Sequence, residues 1–507
     1  MDFNSIFHTI KHTAAEWLDR IEPSRLVDTL RFDPVNPLLF NTGLFLILFV
    51  LFLVVYRLMR RFNTLKLLFV IAFSLYFYYK SSAEYCFILL GVCVSDYILG
   101  LWMGAASHNW IRRLIVAINV IINIGMLVWF KYFNLLYSTF AGISGRDFDP
   151  LEIILPAGIS FFTFRSISYI VDIYRRKIEP CRDFLAYTFY LTFFPPLLAG
   201  PVVRASDMLP QIKLNPIASR AMVSEGLFLI ICGLIKKVIV ADYISQNFVD
   251  RVFDNPALYS GFENLLGIYG FAIQLYCDFS GYSDMAIGIA LLLGYRFLDN
   301  FRSPFKSQNP TEFWRRWHIS LSLWLRDYLY IPLGGNRCSR LRRHYNLMTT
   351  MVLGGLWHGA SWMYVIWGGL QGTFLIGHKE LKKITGQRRR TWWRVTANVF
   401  ITFNLIAFSF MFFRARSMEA VGDMVHQIIY DFHASVAPQF IEGYLLIVCA
   451  MLFGYFMHFT PESLTRRLKG WYGAMPLIIQ AVILALIIIL IIQVRSSEIV
   501  PFIYLQY

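Results

Sequence analysis

The chain has 507 residues, and its composition is far from that of a soluble domain: 57% of the residues are hydrophobic, 17% aromatic and only 16% charged. The net charge of +15 comes from 47 Lys and Arg against 32 Asp and Glu. In a soluble protein this surplus would point to nucleic acid, but here the basic residues lie in short segments between long apolar runs. The pattern is typical of a polytopic membrane protein with basic cytoplasmic loops, and nucleic acid is not expected as a partner.

Six uncharged runs approach or exceed the roughly 20 residues that a helix needs to cross a bilayer core of about 30 Å. They are residues 40–56, 114–130, 184–203, 395–413, 443–461 and 470–494. Several shorter apolar segments read as tilted, broken or re-entrant, which is tolerated where protein or water faces the backbone. We therefore expect an all-α polytopic membrane protein with about 10–13 transmembrane or re-entrant helices, embedded in membrane lipid.

Three regions follow from this pattern. Residues 1–39 carry charges and three prolines before the first span, and we expect them to form an N-terminal extracytoplasmic extension. Residues 40–494 are the membrane domain, and residues 495–507 are an extracytoplasmic C-terminal tail. The orientation rests on basic clusters at 57–66 and 379–394 and on others before the last span, which should all be cytoplasmic, so both termini should face outward.

Polar side chains interrupt an apolar segment at Asp278, Tyr282 and Asp284. Asp278 and Tyr282 lie one helical turn apart. Buried carboxylates need partners, and Arg315 and Arg316 are candidates. Two interpretations stay open: ion pairs that hold the scaffold together, and a polar lining of a tunnel. Asp278, Tyr282 and Asp284 are therefore candidate lining residues.

A strong helix start follows at residue 309. Asn309 can cap a helix, Pro310 suits its first position, and Glu312 falls at its third. Aromatic residues then recur every three or four positions, which predicts one aromatic-rich helix face.

The same segment carries Arg315, Trp317 and His318, and its charges make it too polar for a simple span. An in-plane or re-entrant helix with His318 among its tryptophans fits best. All three are candidate site residues, although a histidine here could also reach to the membrane interface without any chemical role.

Residues 345–377 contain no Lys, Arg, Asp or Glu, and His358 lies near their middle. The run is longer than one span, and two glycine pairs within it offer places to bend or to pack closely. An imidazole at this depth needs hydrogen-bond partners. It could be a packing histidine bonded to a helix carbonyl, but ionisable groups inside a membrane mostly mark function. His358 is therefore a candidate general base, with Trp357 as a lining residue.

Several motifs are missing from the sequence. It has no Walker loop, no dinucleotide fingerprint and no His-Glu-x-x-His, and its seven cysteines form no Cys-x-x-Cys pair. We therefore expect neither a metal site nor a bound cofactor.

Five stretches of the sequence carry a resemblance to a known family. They are LPAGISFFTFRSISYIVDIYR, FFPPLLAGPVVR, QLYCDFSGYSDMAIG, NPTEFWRRWHISLSLWLRDYLYIPLGGN and GGLWHGASWMYVIWG. At these residues the chain resembles the membrane-bound O-acyltransferase family, most of all its bacterial branch of alginate O-acetylation proteins, with teichoic-acid D-alanylation proteins more distant. The motifs WRRWHIS and LWHG, which hold His318 and His358, are the most specific.

The resemblance implies a ring of helices around a central tunnel, in a bacterial cytoplasmic membrane. It implies an O-acyltransferase, most simply an O-acetyltransferase, that takes its acyl group from acetyl-CoA or an acyl carrier thioester in the cytoplasm. The acceptor would be an exported or cell-surface polysaccharide. His358 would be the catalytic histidine that takes a proton from a hydroxyl. His318 would be the second active-site histidine, which orients a reactant or stabilises the oxyanion.

The chain ends with a Phe-x-Tyr motif that resembles one associated with bacterial members of this branch. Tyr504 could accept the acyl group, since a phenol with a pKa near 10 is a better leaving group than a sugar hydroxyl. The tyrosyl ester would then serve an extracytoplasmic acyltransferase or esterase-like partner. Alternatively, the terminal aromatic residues are interfacial anchors.

A different class of function remains open. A transporter or flippase for a glycan or lipid-linked precursor could use Asp278, Asp284 and His358 to relay protons or bind cargo. Replacing His358 distinguishes an acyltransferase from a flippase. An acyltransferase should lose acylation while the glycan is still exported, whereas a flippase should lose export.

Overall fold

The computed structural model describes residues 28–34, 36–386, 391–494 and 502. Within these ranges the chain is helical, without strands. Between residues 43 and 214 the chain forms eight α-helices: α1 (Gly43–Leu58), α2 (Asn63–Ser82), α3 (Cys86–Ala105), α4 (Asn109–Leu127), α5 (Phe133–Ser144), α6 (Ile159–Tyr174), α7 (Phe184–Thr192) and α8 (Ala205–Leu214). A π-helical turn, Val128–Tyr132, joins α4 to α5.

The middle of the chain holds seven helices, several of them short. They are α9 (Arg220–Leu234), α10 (Asp250–Asp254), α11 (Gly261–Leu292), α12 (Pro310–Arg316), α13 (Ile319–Leu325), α14 (Arg340–His358) and α15 (Trp362–Thr385). Six more helices follow between residues 392 and 494: α16 (Trp392–Arg414), α17 (Met418–Tyr430), α18 (Ala437–Gly443), α19 (Leu445–Phe459), α20 (Glu462–Ala474) and α21 (Leu477–Val494).

Four continuous helical stretches of the described residues are long and apolar enough to cross a membrane. They are Gly43–Arg61, Asn63–Ala105, Asn109–Ser144 and Trp392–Arg414. The number rises to six if two bent pairs near the C-terminus each count as one span. The prediction of an all-α polytopic membrane protein is confirmed, while the number of crossings stays a prediction.

The long helix α11 is buried along most of its length. Two glycine pairs let it approach α9 with backbone contact: a Cβ atom on Gly226 would lie 2.7 Å from the Gly288 carbonyl oxygen, and one on Gly233 would lie 2.6 Å from the Gly281 carbonyl oxygen. The paired glycines are seven residues apart in both helices, so the two antiparallel backbones meet on one face two turns apart. This packing holds α11 in place, with the ring of Phe279 against that of His318.

Candidate active site

Helices α14 and α15 form a tight hairpin whose turn holds His358. This histidine is the last residue of α14, and Ser361 caps the start of α15. The two helices touch through their backbones, since a Cβ atom on Gly355 would lie 2.3 Å from the Tyr364 carbonyl oxygen and 2.9 Å from Gly368 Cα. The glycine pairs therefore pack closely, and they leave His358 little freedom to move.

Aromatic rings surround the His358 imidazole, which is 3% exposed. The ring centroids of Trp357, Trp367 and Phe413 lie 5.0, 5.2 and 5.3 Å from it. All three meet the imidazole edge to face, with interplanar angles of 83°, 89° and 70°. Such a shell keeps bulk water away from the imidazole and strengthens the polar interactions that remain.

Two side chains bind the carbonyl end of α14, where backbone oxygens lack partners within the helix. Tyr132 Oη donates to the Leu356 oxygen at 2.9 Å, and Lys131 Nζ donates to the Trp357 and His358 oxygens at 2.8 and 3.3 Å. Both donors come from the π-helical turn after α4, a feature that is frequent at functional sites. Neither residue was predicted from the sequence, although a lysine at the end of an apolar run was a usable signal.

The helix before His318 starts as predicted, because the Asn309 side chain accepts a hydrogen bond from the Glu312 backbone N–H at 2.9 Å. The expectation of one continuous aromatic-faced helix is wrong. The helix α12 ends at Arg316, and α13 begins at Ile319. His318 therefore lies in a break between two short helices.

Backbone contacts with the segment 300–302 explain this break. His318 has φ 41° and ψ 57°, the left-handed region that non-glycine residues rarely adopt. The backbone N–H of Ile319 donates to the backbone carbonyl oxygen of Asn300 at 2.9 Å. The backbone N–H of Arg302 donates to the backbone carbonyl oxygen of Arg316, also at 2.9 Å. Strain that the surroundings maintain in this way is concentrated at functional sites.

His318 is fully buried and lies close to His358. Its Nδ1 atom is 3.1 Å from Asn300 Oδ1, and its ring meets that of Phe279 edge to face at 4.5 Å. Trp357 lies between the two histidines, with its ring centroid 5.8 Å from His318 and 5.0 Å from His358. Both rings therefore contact the same tryptophan, and the structure brings both predicted histidines into one site.

The C-terminal segment reaches the same aromatic wall. The Phe502 ring is 1% exposed and lies 5.5 Å from Phe279 and 4.8 Å from Tyr282, one turn further along α11. Tyr282 thus lines the wall that Phe279 extends to His318. Tyr504 itself lies outside the described residues.

The two predicted carboxylates are bound by adjacent lysines. Asp278 Oδ1 lies 2.6 Å from Lys237 Nζ, and Asp284 Oδ2 lies 2.6 Å from Lys236 Nζ. The prediction that Arg315 and Arg316 pair with these carboxylates is wrong, because the partners are lysines of the π-helical turn Ile235–Asp242. Both carboxylates therefore form ion pairs that hold α11 to this turn.

Arg315 and Trp317 also lie outside the immediate surroundings of the two imidazoles. Trp317 is 1% exposed and packs between Phe301 and Phe313, with ring centroids 5.1 and 5.5 Å away. Arg315 lines a cavity of about 1020 Å³ between α12, α14 and α15, which we call the basic cavity.

The basic cavity has a surplus of positive charge. Its lining includes two glutamates and five Lys or Arg side chains, namely Arg315, Arg343, Lys379, Lys382 and Lys383. Hydrogen bonding from Lys383 lowers the pKa of Glu380 to about 2. That carboxylate is therefore charged at neutral pH and offsets part of the positive charge.

A second cavity, of about 180 Å³, lies at the other end of α14, and we call it the small cavity. Trp357, Ser160 and Lys131 line it, and Lys131 is the one charged side chain among its described lining residues. The N-terminal half of α14 lines the basic cavity, whereas its end at Trp357 lines the small one. Both histidines contact Trp357, so they lie beside the small cavity, at the end of α14 opposite the basic cavity.

Comparison with known proteins identifies the family. Residues 181–414 match the membrane-bound O-acyltransferase family. The chain is 38% identical over 401 residues to a probable alginate O-acetylase AlgI of Pseudomonas syringae pv. tomato, with 76% of this chain and 74% of that protein covered. It is 37% identical over 414 residues to a peptidoglycan O-acetyltransferase of Helicobacter pylori, with 76% and 78% covered. A teichoic acid D-alanyltransferase of Bacillus subtilis is 27% identical over 285 residues, with 53% and 70% covered.

The matched region contains both histidines and Asn300. The first two relatives align with about three quarters of the chain, and a buried histidine pair in a membrane protein suits the chemistry of acyl transfer. The protein is an O-acyltransferase and belongs to the membrane-bound O-acyltransferase family.

Proposed function

We propose that this protein moves an acetyl group from a cytoplasmic thioester across a bacterial inner membrane to hydroxyl groups of an exported or cell-surface polysaccharide. The observation that carries the proposal is the pair of buried histidines at one end of α14, beside the small cavity, with the basic cavity at the other end of that helix. The relatives named as alginate O-acetylase and peptidoglycan O-acetyltransferase support the acetyl group and the glycan acceptor.

In this proposal His358 acts as the general base. It takes the proton of the attacking hydroxyl while the hydroxyl oxygen bonds to the thioester carbonyl carbon. The carbon–sulfur bond then breaks, and the leaving thiolate takes the proton from the imidazolium. His318 orients a reactant or stabilises the oxyanion, and the aromatic shell limits hydrolysis of the thioester.

The basic cavity is the proposed site of the thioester donor. Acetyl-CoA and an acyl carrier protein both present negative charge, which the surplus of Lys and Arg attracts. By the charge pattern this cavity faces the cytoplasm, and the small cavity faces outward. The helix α12 runs from the cap Asn309, at the basic cavity, to Arg316, roughly 10 Å at helical rise, and His318 lies two residues beyond its end. A thioester on a flexible arm can span that distance.

Charge removal in the basic cavity tests the donor site. Arg315→Gln together with Lys382→Gln should raise KM for acetyl-CoA with little change in kcat, because these groups bind donor and transition state alike. Arg466→Gln with Arg467→Gln removes the same charge from exposed positions of α20, outside the cavity lining, and serves as the control. Equal KM values in the two double variants would contradict this placement of the donor.

Tyr504 is the proposed first acceptor. Phe502, two residues earlier, is buried against Phe279 and Tyr282, and Phe279 touches His318. This contact supports a tail that can present its tyrosine to the site. The phenol oxygen would form an ester with the acetyl group, and an extracytoplasmic acyltransferase or esterase-like partner would pass that group to the polysaccharide.

Mass spectrometry of the C-terminal peptide tests the carrier. An acetyl adduct on Tyr504 should appear in the native protein incubated with acetyl-CoA and be absent from His358→Ala. Tyr507→Phe should keep the adduct, and Tyr504→Phe should abolish it. If the Tyr504→Phe variant still acetylated the polysaccharide fully, Tyr504 would not be a carrier, and only the proposed acetyl transfer itself would stand.

The cellular phenotype of His358→Ala tests the function as a whole. Glycan export should continue while its O-acetylation is lost. His458→Gln serves as the control, because His458 is also buried and its Nε2 accepts a hydrogen bond from the Phe305 N–H at 3.0 Å outside the site. Loss of glycan export in His358→Ala would favour a flippase and contradict the proposal.

A further inference from the structure

The Asn300 side chain is the direct partner of His318. It is 1% exposed, and its Oδ1 atom lies 3.1 Å from His318 Nδ1, 2.9 Å from Ser320 Oγ and 3.3 Å from the Ser320 backbone nitrogen. Its Nδ2 atom donates to Ser283 Oγ at 3.0 Å. Every polar atom of this amide is therefore engaged.

These contacts fix which end of the amide faces His318. A backbone N–H can only donate, so the amide atom beside the Ser320 nitrogen must be the oxygen. The Ser320 hydroxyl accepts from the Val202 backbone N–H at 2.9 Å and so directs its own hydrogen toward the same oxygen. An amide oxygen carries no hydrogen, and a hydrogen bond to His318 Nδ1 therefore requires that Nδ1 be the protonated nitrogen.

The other ring nitrogen of His318 then carries a lone pair. His318 Nε2 is buried and has no hydrogen-bond partner among the residues that the structure describes. A 180° turn of the ring would put a carbon atom in place of Nδ1 and lose the hydrogen bond to Asn300. A buried acceptor without a partner costs free energy unless a ligand supplies the missing donor.

We propose that Asn300 is a positioning residue that holds His318 as the Nδ1–H tautomer, so that neutral His318 acts as a hydrogen-bond acceptor through Nε2. The inference rests on the proposed function and decides between the two roles given to His318 there. A neutral ring with a bare Nε2 has no hydrogen to offer an oxyanion. It orients an O–H or N–H group of a bound reactant, separate from the proton that His358 removes.

The tautomer can be measured without any turnover. In protein with ¹⁵N-labelled histidine, the signal that disappears in His318→Gln should show a protonated Nδ1 and an unprotonated Nε2. In Asn300→Leu the same signal should change to the other tautomer or to a mixture. Ser320→Ala is the matched control, because it breaks the same network but leaves the Asn300 oxygen on His318. It should keep the Nδ1–H signal.

The pH dependence of activity gives a second readout. Asn300→Asp keeps an acceptor for Nδ1–H but places a carboxylate beside the ring, which favours the protonated, charged imidazole. The acid side of the kcat profile should then move to higher pH, since the neutral acceptor form needs a higher pH to appear. Asn300→Leu should lower kcat by about 10–100-fold, the usual cost of losing a group that orients a functional histidine.

Two results would overturn the inference. One is a native His318 signal with Nε2 protonated. The other is a kcat in Asn300→Leu that equals that of Ser320→Ala, which would leave Asn300 a structural role only. Failure of the proposed function looks different, since acetyl transfer would be absent or independent of His358 while the His318 tautomer stayed as described.

Discussion

Replacing Lys131 by methionine removes the cation that binds the end of α14 while keeping the length of the side chain. Its Nζ donates to the Trp357 oxygen at 2.8 Å and, more weakly, to the His358 oxygen at 3.3 Å and Ser160 Oγ at 3.4 Å. One good hydrogen bond to a charged group contributes about 1.5–3 kcal/mol, and the two long ones add little. We therefore expect the free energy of unfolding to fall by about 2 kcal/mol.

The effect on activity should exceed the effect on stability. Without Lys131 the last turn of α14 can shift, and a displacement of about 1 Å in a catalytic group costs up to about 100-fold in rate. We expect kcat for acetyl transfer to fall by about 10–100-fold. The KM for the donor should change little, because Lys131 does not line the basic cavity.

Lys306→Met is the matched control for this experiment. Lys306 Nζ also donates to a backbone carbonyl, that of Thr460 at 2.7 Å, away from both histidines. Thermal unfolding in detergent and kcat are measured for both variants. Both should lose similar stability, and only Lys131→Met should lose kcat. Native kcat in a destabilised Lys131→Met would show that Lys131 supports the fold and not the position of His358.

Three further predictions follow from the packing and the charges. Gly355→Ala places a Cβ atom 2.3 Å from a carbonyl oxygen of α15 and should lower the unfolding temperature, whereas Gly369→Ala, with open space around it, should not. Lys237→Met removes the cation that Asp278 and Asp242 share and should cost about 3–5 kcal/mol in chemical unfolding, and Asp278→Asn in the same chain should recover part of it. The lowered pKa of Glu380 means that its contribution to stability is present above its ordinary pKa of 4.5 and is lost as the pH falls toward about 2. The difference in unfolding temperature between native protein and Glu380→Gln should therefore shrink over that range, and a constant difference would contradict the pKa.

The sequence contained the local signals for helix ends but not the long-range contacts. The cap at Asn309 needs only residues within one turn, so it could be predicted, and the structure confirms it. The break at His318 could not, because the aromatic spacing runs through it without a Gly or Pro. The break depends on Asn300, which lies 18 residues away in the chain.

The partners of the charged groups also depend on long-range contacts. Spacing within a helix placed Asp278 and Asp284 among apolar residues, but the partner lysines come from another helical turn, and their register against α11 depends on the glycine contacts between α9 and α11. Lys131 is 227 residues from His358 and was visible only as a charge at the end of an apolar run. His318 and His358 were found because each lies in a specific motif.

The most direct test of the account is single-turnover acetyl transfer by the purified protein. With labelled acetyl-CoA, the native protein should release free CoA and transfer the label to an acceptor, and His358→Ala should do so about 10²–10⁴-fold more slowly, the usual contribution of a general base. Binding of acetyl-CoA should be unchanged, because His358 lies outside the basic cavity. A His358→Ala protein that transfers the label at the native rate would contradict the account.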